Sequence, residues 1–446
     1  MFLDAATLRD LEIVPTPTAR GMTLWSLVDR TRTRLGRESL RQRFVAPPHT
    51  AAEIVHLQQA HQVLAVDSVT YRTVLDRADL DGVEAYLGVT WQLPADMPSV
   101  SSVRKWYRDY LQDVALGAAR VSALLTAAAD LRSRLARADA PVLEHVGERI
   151  AMLLETPTLR ELLDLASRQS PATPRFDQLA RGQAKPLLLE LLQFIGQLEA
   201  LWSVGAATLE HGWSYPRPSS RLQVVGLTHP FLASKAVPND LRLDDRVRVC
   251  FVTGPNMAGK STFLKAIAVA VVLAQLGSGV PATSMEWPIV GTVFSSVHVE
   301  DNVVAGESFY LAEVRRIKTL AVALSNHGSA VAVIDEPFRG TNVHDAAEAT
   351  VAVVTRLAAH PAGLVLVASH VGEAVPAIVD DPRVALFHFA ADVTSDEPRF
   401  DYRLRDGVSA QRLGMTLLRR EGVLALLEAE SVDVQPNHAL EPTAQE

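Results

Sequence analysis

One eight-residue run constrains this chain more than any other: Gly254-Pro255-Asn256-Met257-Ala258-Gly259-Lys260-Ser261. It fits G-x-x-x-x-G-K-[ST] without a mismatch, and its surroundings give the pattern a mechanism. Val247, Val249, Phe251 and Val252 form an apolar, β-branched run ahead of it that reads as a buried strand. An unbroken apolar helix follows. Gly254 and Gly259 allow backbone angles and close approach that a Cβ would block. The loop N–H groups and the start of the helix form an anion-binding nest. Lys260 then reaches the terminal phosphates as a point charge, and the Ser261 hydroxyl ligates Mg²⁺. Gly254 through Thr262 are therefore candidate residues for a nucleoside-triphosphate site, with ATP and Mg²⁺ as the expected cofactors.

At 446 residues the chain has room for two or three domains. Its net charge of −8 is unevenly placed: residues 1–221 carry 25 Lys+Arg and 25 Asp+Glu, and the remainder carries 18 and 26. Neither half has the broad basic footprint of a general nucleic-acid binder, although a local patch would suffice for DNA contact. The single cysteine, Cys250, lies in the strand before the loop and reads as a small buried apolar residue. The N-terminus lacks a basic stretch followed by an apolar core, and the longest apolar run, Ala266 to Leu276, is too short for a membrane span. A cytoplasmic protein without a membrane partner is expected.

Residues 1–20 read as an extended lead-in, because Pro15 and Pro17 forbid a regular helix. From Thr23 the apolar spacing is helical, interleaved with Arg30, Arg32, Arg34, Arg37, Arg41 and Arg43. That run reads as a solvated face or one packed on the acidic half, with a DNA-phosphate role as the other reading. Pro47-Pro48 ends the segment and Thr50 caps the next helix. Long Leu/Ala-rich helices broken at Pro-containing joints continue to about Tyr215, a pattern that suits a few long packed helices in a lever shape. His61, His145 and His211 lie on them without metal-ligand spacing. Strands and helices alternate from Leu222 to about Glu428, as in a mostly parallel α/β sheet. The polar stretch 429–446 reads as a disordered tail.

Two further strands in the second half end in reactive residues. Ala330 to Ile334 runs directly into Asp335-Glu336, where an aspartate holds Mg²⁺ and the next carboxylate activates water. The strand in GLVLVASH ends at Ser369-His370, which places His370 on the ligand side of a parallel sheet. Between them, Gly306-Glu307-Ser308 precedes a helix whose first turn offers free N–H groups.

GPNMAGKST, the EDN…GES…AEV stretch, IDEPFRGTN and the ASH histidine resemble the MutS family of DNA mismatch-repair ATPases. Thr228-His229-Pro230, Val237-Pro238-Asn239-Asp240 and AQLGSGVPA extend the likeness, and LWSLVDRTRTRLGRESLRQRFVAPP looks like the opening of the family's helical core, or lever. The resemblance covers Gly21 to Leu418, densely in the second half. It implies an all-α lever domain (21–221) followed by an α/β ABC-type P-loop ATPase domain (222–428). It also implies a homodimer with two composite sites. Carried over by position, Lys260 and Ser261 bind phosphate and Mg²⁺, and Asp335 holds Mg²⁺. Glu336 polarises water, His370 senses the γ-phosphate, and Ser308 reaches the opposite subunit's nucleotide. Asn256 and Met257 wrap the nucleotide.

Ala258, Phe309 and Pro337-Phe338 depart from the residues usual in the family. The mismatch-reading domain with its Phe-x-Glu wedge and the connector have no counterpart in the sequence, and no obvious β-rich clamp segment interrupts the helical region. Fold and ATPase chemistry carry over, and a role in repair or recombination control, with a repair-protein partner, is suggested. A transporter-type or SMC-type ABC ATPase is disfavoured by the absence of LSGGQ. The alternative of another class is a nucleotide-gated protein-interaction switch that does not bind DNA.

Overall fold

The computed structural model describes residues 1–15, 21–90, 100–167, 174–243, 245–297, 309–370, 372–392, 399–409, 411 and 418–429. The first half is helical: α1 (Ala5–Asp10), α2 (Leu24–Val28), α3 (Arg34–Val45), α4 (Ala51–Val66), α5 (Ser68–Arg77) and α6 (Leu80–Gly88). It continues with α7 (Val100–Leu135), α8 (Pro141–Leu154), α9 (Pro157–Ser167), α10 (Pro174–Arg181) and α11 (Lys185–Glu210). Sequence chemistry sets several of these starts. Thr23 and Thr50 form capping boxes with Ser26 and Glu53, and Thr33 caps α3 through the Gly36 N–H. Pro141, Pro157 and Pro174 each stand first in a helix, where a missing N–H costs nothing. Among the described residues before Arg217 there is no strand.

α7 and α11 are long and apolar enough to cross a membrane by length and composition alone. Here they are the spine of the helical core. Val121, Leu124, Ala128 and Leu131 of α7 are buried in one cluster with Leu188, Leu191, Leu192 and Ile195 of α11.

One sequence expectation needs correction. The expected extended lead-in contains α1, which Asp4 caps and which docks against the sheet of the second half. Arg316 pairs with Asp4, and the buried Asp10 carboxylate accepts from the Ser295 hydroxyl at 3.0 Å and the Val297 N–H at 2.9 Å. The arginine run is mainly a solvated face, as one of the sequence readings has it, with the side chains of Arg32, Arg34, Arg37 and Arg41 more than half exposed. Arg30, Arg32, Arg34, Arg37 and Arg41 pair with Glu210, Asp76, Glu84, Asp29 and Glu38, all within the helical half. The buried Glu199 of α11 accepts the Arg32 and Thr33 N–H groups where the chain passes between α2 and α3.

The second half begins with β1 (Arg217–Pro218), β2 (Gln223–Leu227), β3 (Asn239–Arg242) and β4 (Val249–Thr253), then α12 (Lys260–Gln275), β5 (Ser284–Trp287) and β6 (Thr292–Ser296). After α13 (Phe309–His327) come β7 (Ala330–Asp335), α14 (Val343–Ala359), β8 (Gly363–Ala368) and β9 (Val384–His388). The short strands β10 (Ala391–Asp392), β11 (Arg399–Phe400) and β12 (Arg405–Asp406) follow. The six-stranded sheet has the order β12-β9-β4-β8-β7-β6, parallel except for the antiparallel edge strand β12. β4 and β7 are buried almost throughout and read as continuous apolar runs, as strands covered on both faces do. A four-stranded sheet, β1-β5-β2-β3, lies beside it.

The halves share one core. Leu24, Leu40, Phe44 and Ile54 are buried in the same cluster as Ala266 to Ala274 of α12. At this junction Gln275 donates to the Pro48 carbonyl at 2.8 Å, Gln58 donates to the Pro216 carbonyl at 2.9 Å, and His61 Nδ1 lies 2.8 Å from the Gly277 carbonyl. The expected tail lies outside the described residues, apart from Ala429.

Candidate nucleotide site

Strand register assembles the site. Val252 pairs with Ala368 and Ala368 pairs with Asp335, so β4, β8 and β7 end at one level, side by side. The phosphate loop leaves β4, His370 follows β8, and Asp335-Glu336 closes β7. Three motifs far apart in sequence thus meet at the carboxyl edge of one parallel sheet, where open α/β sheets bind ligands.

Within the loop, Gly254 has φ of 137° and a Cβ there would lie 2.5 Å from the Phe389 carbonyl oxygen. Gly259, with φ of 109°, caps α12. Ala258 is buried and is not among the left-handed residues, so a side chain is tolerated there. Met257 takes the left-handed angle instead, φ 68°, with its side chain mostly exposed.

Lys260 is buried and curls back into its own loop. Its ammonium donates to the Gly254 carbonyl at 2.8 Å and the Pro255 carbonyl at 3.1 Å, and lies 3.9 Å from Glu336 Oε1. Burial lowers its pKa against the pull of Glu336 and Asp335. Burial likewise raises Asp335, outweighing the hydrogen bond from the Ser261 hydroxyl. Asp335 Oδ1 is buried without a hydrogen-bond partner. An orphaned carboxylate oxygen beside a hydroxyl is the donor set a hard divalent cation takes, so Ser261 and Asp335 fit Mg²⁺.

Glu336 stands between Lys260 and His370. His370 Nδ1 lies 3.4 Å from its Oε1, opposite Lys260. Hydrogen bonding to His370 holds the Glu336 carboxyl below its ordinary range, and the same bond raises His370. The Glu336 backbone is left-handed, φ 47°.

Lys260, Ser261, Asp335 and Glu336 border a cleft of about 950 Å³. Sequence reading missed another part of its wall as a site: His229, Asn239, Phe389 and Tyr402 also line it, with Phe389 and Tyr402 against the phosphate loop. Asn239 Nδ2 donates to the Tyr402 carbonyl at 3.0 Å and its Oδ1 accepts from the Leu404 N–H at 2.7 Å, which ties the edge of β3 to the segment after β11. Thr228–Asp240 was the signal available for half of this wall; nothing local marks Tyr402. Ser308 lies outside the described residues.

The sheet, loop and cleft define a P-loop nucleotide-binding protein of mixed α/β architecture. Comparison with known proteins narrows the class. The family profile described as MutS domain V matches residues 250–431. The DNA mismatch repair protein MutS of Natronomonas pharaonis is 31% identical over 284 residues, 60% of this chain and 32% of that protein. DNA mismatch repair protein MutS 2 of Halobacterium salinarum is 31% identical over 246 residues, 54% of this chain and 28% of the relative. The Sorangium cellulosum protein MutS is 31% identical over 314 residues, 67% of this chain and 32% of its own length. A match of that length includes part of the helical half. The chain belongs to the MutS family, and it spans about a third of the relatives it matches.

Proposed function

We propose that this chain is a DNA-associated ATPase whose ABC-type nucleotide domain (222–428) drives an all-α lever (21–221) in DNA repair or recombination control. The reading rests on one observation above the others: Lys260 and Glu336 line one cleft, and His370 lies 3.4 Å from Glu336, on segments that follow the adjacent strands β4, β7 and β8. The buried, unpaired Cys250 fits a cytoplasmic setting.

In this reading Lys260 leaves the Gly254 and Pro255 carbonyls for the β- and γ-phosphates of ATP. The loop N–H groups from Gly254 to Thr262 cradle the phosphates, and Asn256 and Met257 cover the nucleotide. Ser261 and Asp335 hold Mg²⁺, which when bound neutralises phosphate charge. Glu336, kept ionised by His370, takes a proton from the attacking water as its oxygen bonds to the γ-phosphorus and the bond to ADP breaks. His370 orients Glu336 and faces the γ-phosphate. Two copies of the chain form composite sites, with Ser308 of each reaching the nucleotide of the other.

A second reading is favoured by one observation. Five arginines of the helical half are already neutralised by its own carboxylates, which suits a nucleotide-gated switch for a protein partner rather than a DNA grip. One experiment separates them. ATP hydrolysis is measured for the wild type and E336Q with single-stranded, duplex, mismatched and four-way-junction DNA. E336Q is expected to bind ATP and lose most turnover, and one DNA structure is expected to change the wild-type rate. Wild-type turnover in E336Q removes Glu336 as the base; indifference to every DNA favours the protein switch.

A further inference from the structure

The loop that follows Glu336 is the most strained stretch of the site. Glu336 and Phe338 both have left-handed backbones, with φ of 47° and 65°. Neither is glycine, and such angles persist only where the surroundings over-determine them. Those surroundings are supplied by α13. Its Glu313, on the second turn, is almost fully buried. Its carboxylate accepts from the loop backbone at the Gly340 N–H, 3.3 Å away, with the backbone of Arg339 and Phe338 close by. A loop backbone folded onto one buried carboxylate describes a nest closed by a side chain.

The approach of loop and helix is too close for a larger residue. A Cβ at Gly340 would stand 2.8 Å from the Tyr310 nitrogen and 2.9 Å from the Phe309 ring. Aromatic contacts complete the joint. The Arg339 guanidinium lies 4.8 Å from the centre of the Phe309 ring, and the Tyr310 and Phe338 rings are 6.0 Å apart. Phe309 and Phe338, two of the residues that set this chain apart from the usual family pattern, thus meet at the same seam. One turn on, Arg316 fastens α13 to the rest of the body. It pairs with Asp4 and donates to Thr7 Oγ1 at 3.0 Å, and its Nε donates to the Ser295 carbonyl at 3.1 Å.

We propose that Glu313 is a positioning residue for hydrolysis: it gathers the backbone of residues 338–340 onto α13 and so holds Glu336 aimed between Lys260 and His370. The inference rests on Glu336 acting on water as proposed above. Glu313 lines no part of the nucleotide cleft, and of residues 338–340 only Arg339 does, so its loss acts on turnover far more than on nucleotide affinity.

The test uses the full-length chain with ATP and a fluorescent ATP analogue. E313A is expected to lower kcat about 100-fold and the isosteric E313Q about 10-fold, the scale on which misplacing a reacting group acts. Binding of the analogue stays within about 2-fold of wild type in both. G340A, which keeps the charge but pushes the loop off the helix, reproduces the loss and covers the case in which E313A fails to fold. In single-turnover hydrolysis, E313Q added to E336Q costs nothing further, because both act through the same carboxylate. Wild-type kcat in E313Q and G340A, equal loss of nucleotide binding, or a full additional loss in the E336Q background overturns the proposal. Failure of the underlying reading looks different, since E336Q itself would then turn over normally.

Discussion

His370 Nδ1 lies 3.4 Å from Glu336 Oε1, a contact that joins the ends of β8 and β7. His370 is half exposed and Glu336 largely buried, so the histidine is the partner able to meet an incoming phosphate. Replacing it with alanine is expected to lower kcat on the order of 10²-fold, within the range ascribed to a positioned acid–base group. ATP affinity should change far less. A variant with wild-type kcat and weakened binding would assign His370 to nucleotide capture alone.

The orphaned Oδ1 of Asp335 and its Ser261 neighbour predict how the site treats magnesium. D335N should raise the Mg²⁺ concentration needed for half-maximal hydrolysis by at least about 10-fold, as loss of a charged ligand does. Titration of Mg²⁺ at fixed ATP reads this directly. An unmoved midpoint would place the cation elsewhere.

If the sites are shared between two copies, S308A and K260A rescue one another. Each variant alone should be nearly inactive. Mixed in equal amounts, half of the dimers are heterodimers, and each of these carries one site with both residues intact. Roughly a quarter of wild-type activity should return. No recovery at subunit exchange would mean that each site is complete within one chain.

His61 predicts a pH dependence of stability that has nothing to do with catalysis. Burial, then the nearby charge of Arg43, depress its pKa from the ordinary 6.5 to about 3, against the hydrogen bond to the Gly277 carbonyl. A depressed histidine is protonated in the unfolded chain first. Its contribution is therefore complete above pH 6.5 and declines as pH falls through 6.5 toward 3. The loss amounts to roughly 1 kcal/mol per pH unit across that window. In chemical denaturation between pH 7 and pH 5, H61N should lose stability less steeply than wild type. Parallel slopes would show that His61 titrates freely in the fold.

Much of the site was legible along the chain because its parts are local. A strand, a glycine-containing loop and a helix follow one another at Val249–Gln275, and an apolar strand runs straight into Asp335-Glu336. Both are short-range patterns of burial and backbone freedom, readable without knowing what lies opposite. The Thr50 cap and the helical starts at Pro141 and Pro174 are legible for the same reason.

What required the folded chain are pairings across long separations, which leave no periodic trace. Nothing near Arg32 announces Asp76, and nothing near Asp4 announces Arg316. The short N-terminal helix reads as an extended segment because its proline-flanked sequence is weak by itself; docking on β6 supplies its stability. Tyr402 reaches the cleft only because Asn239 holds its backbone. Glu313 looks like any acidic residue on an amphipathic helix until the loop after Glu336 is laid against it. Local chain chemistry specifies which groups can bind a triphosphate; the sheet register and the packing of α13 decide where those groups point, since direction is a property of contacts between distant segments.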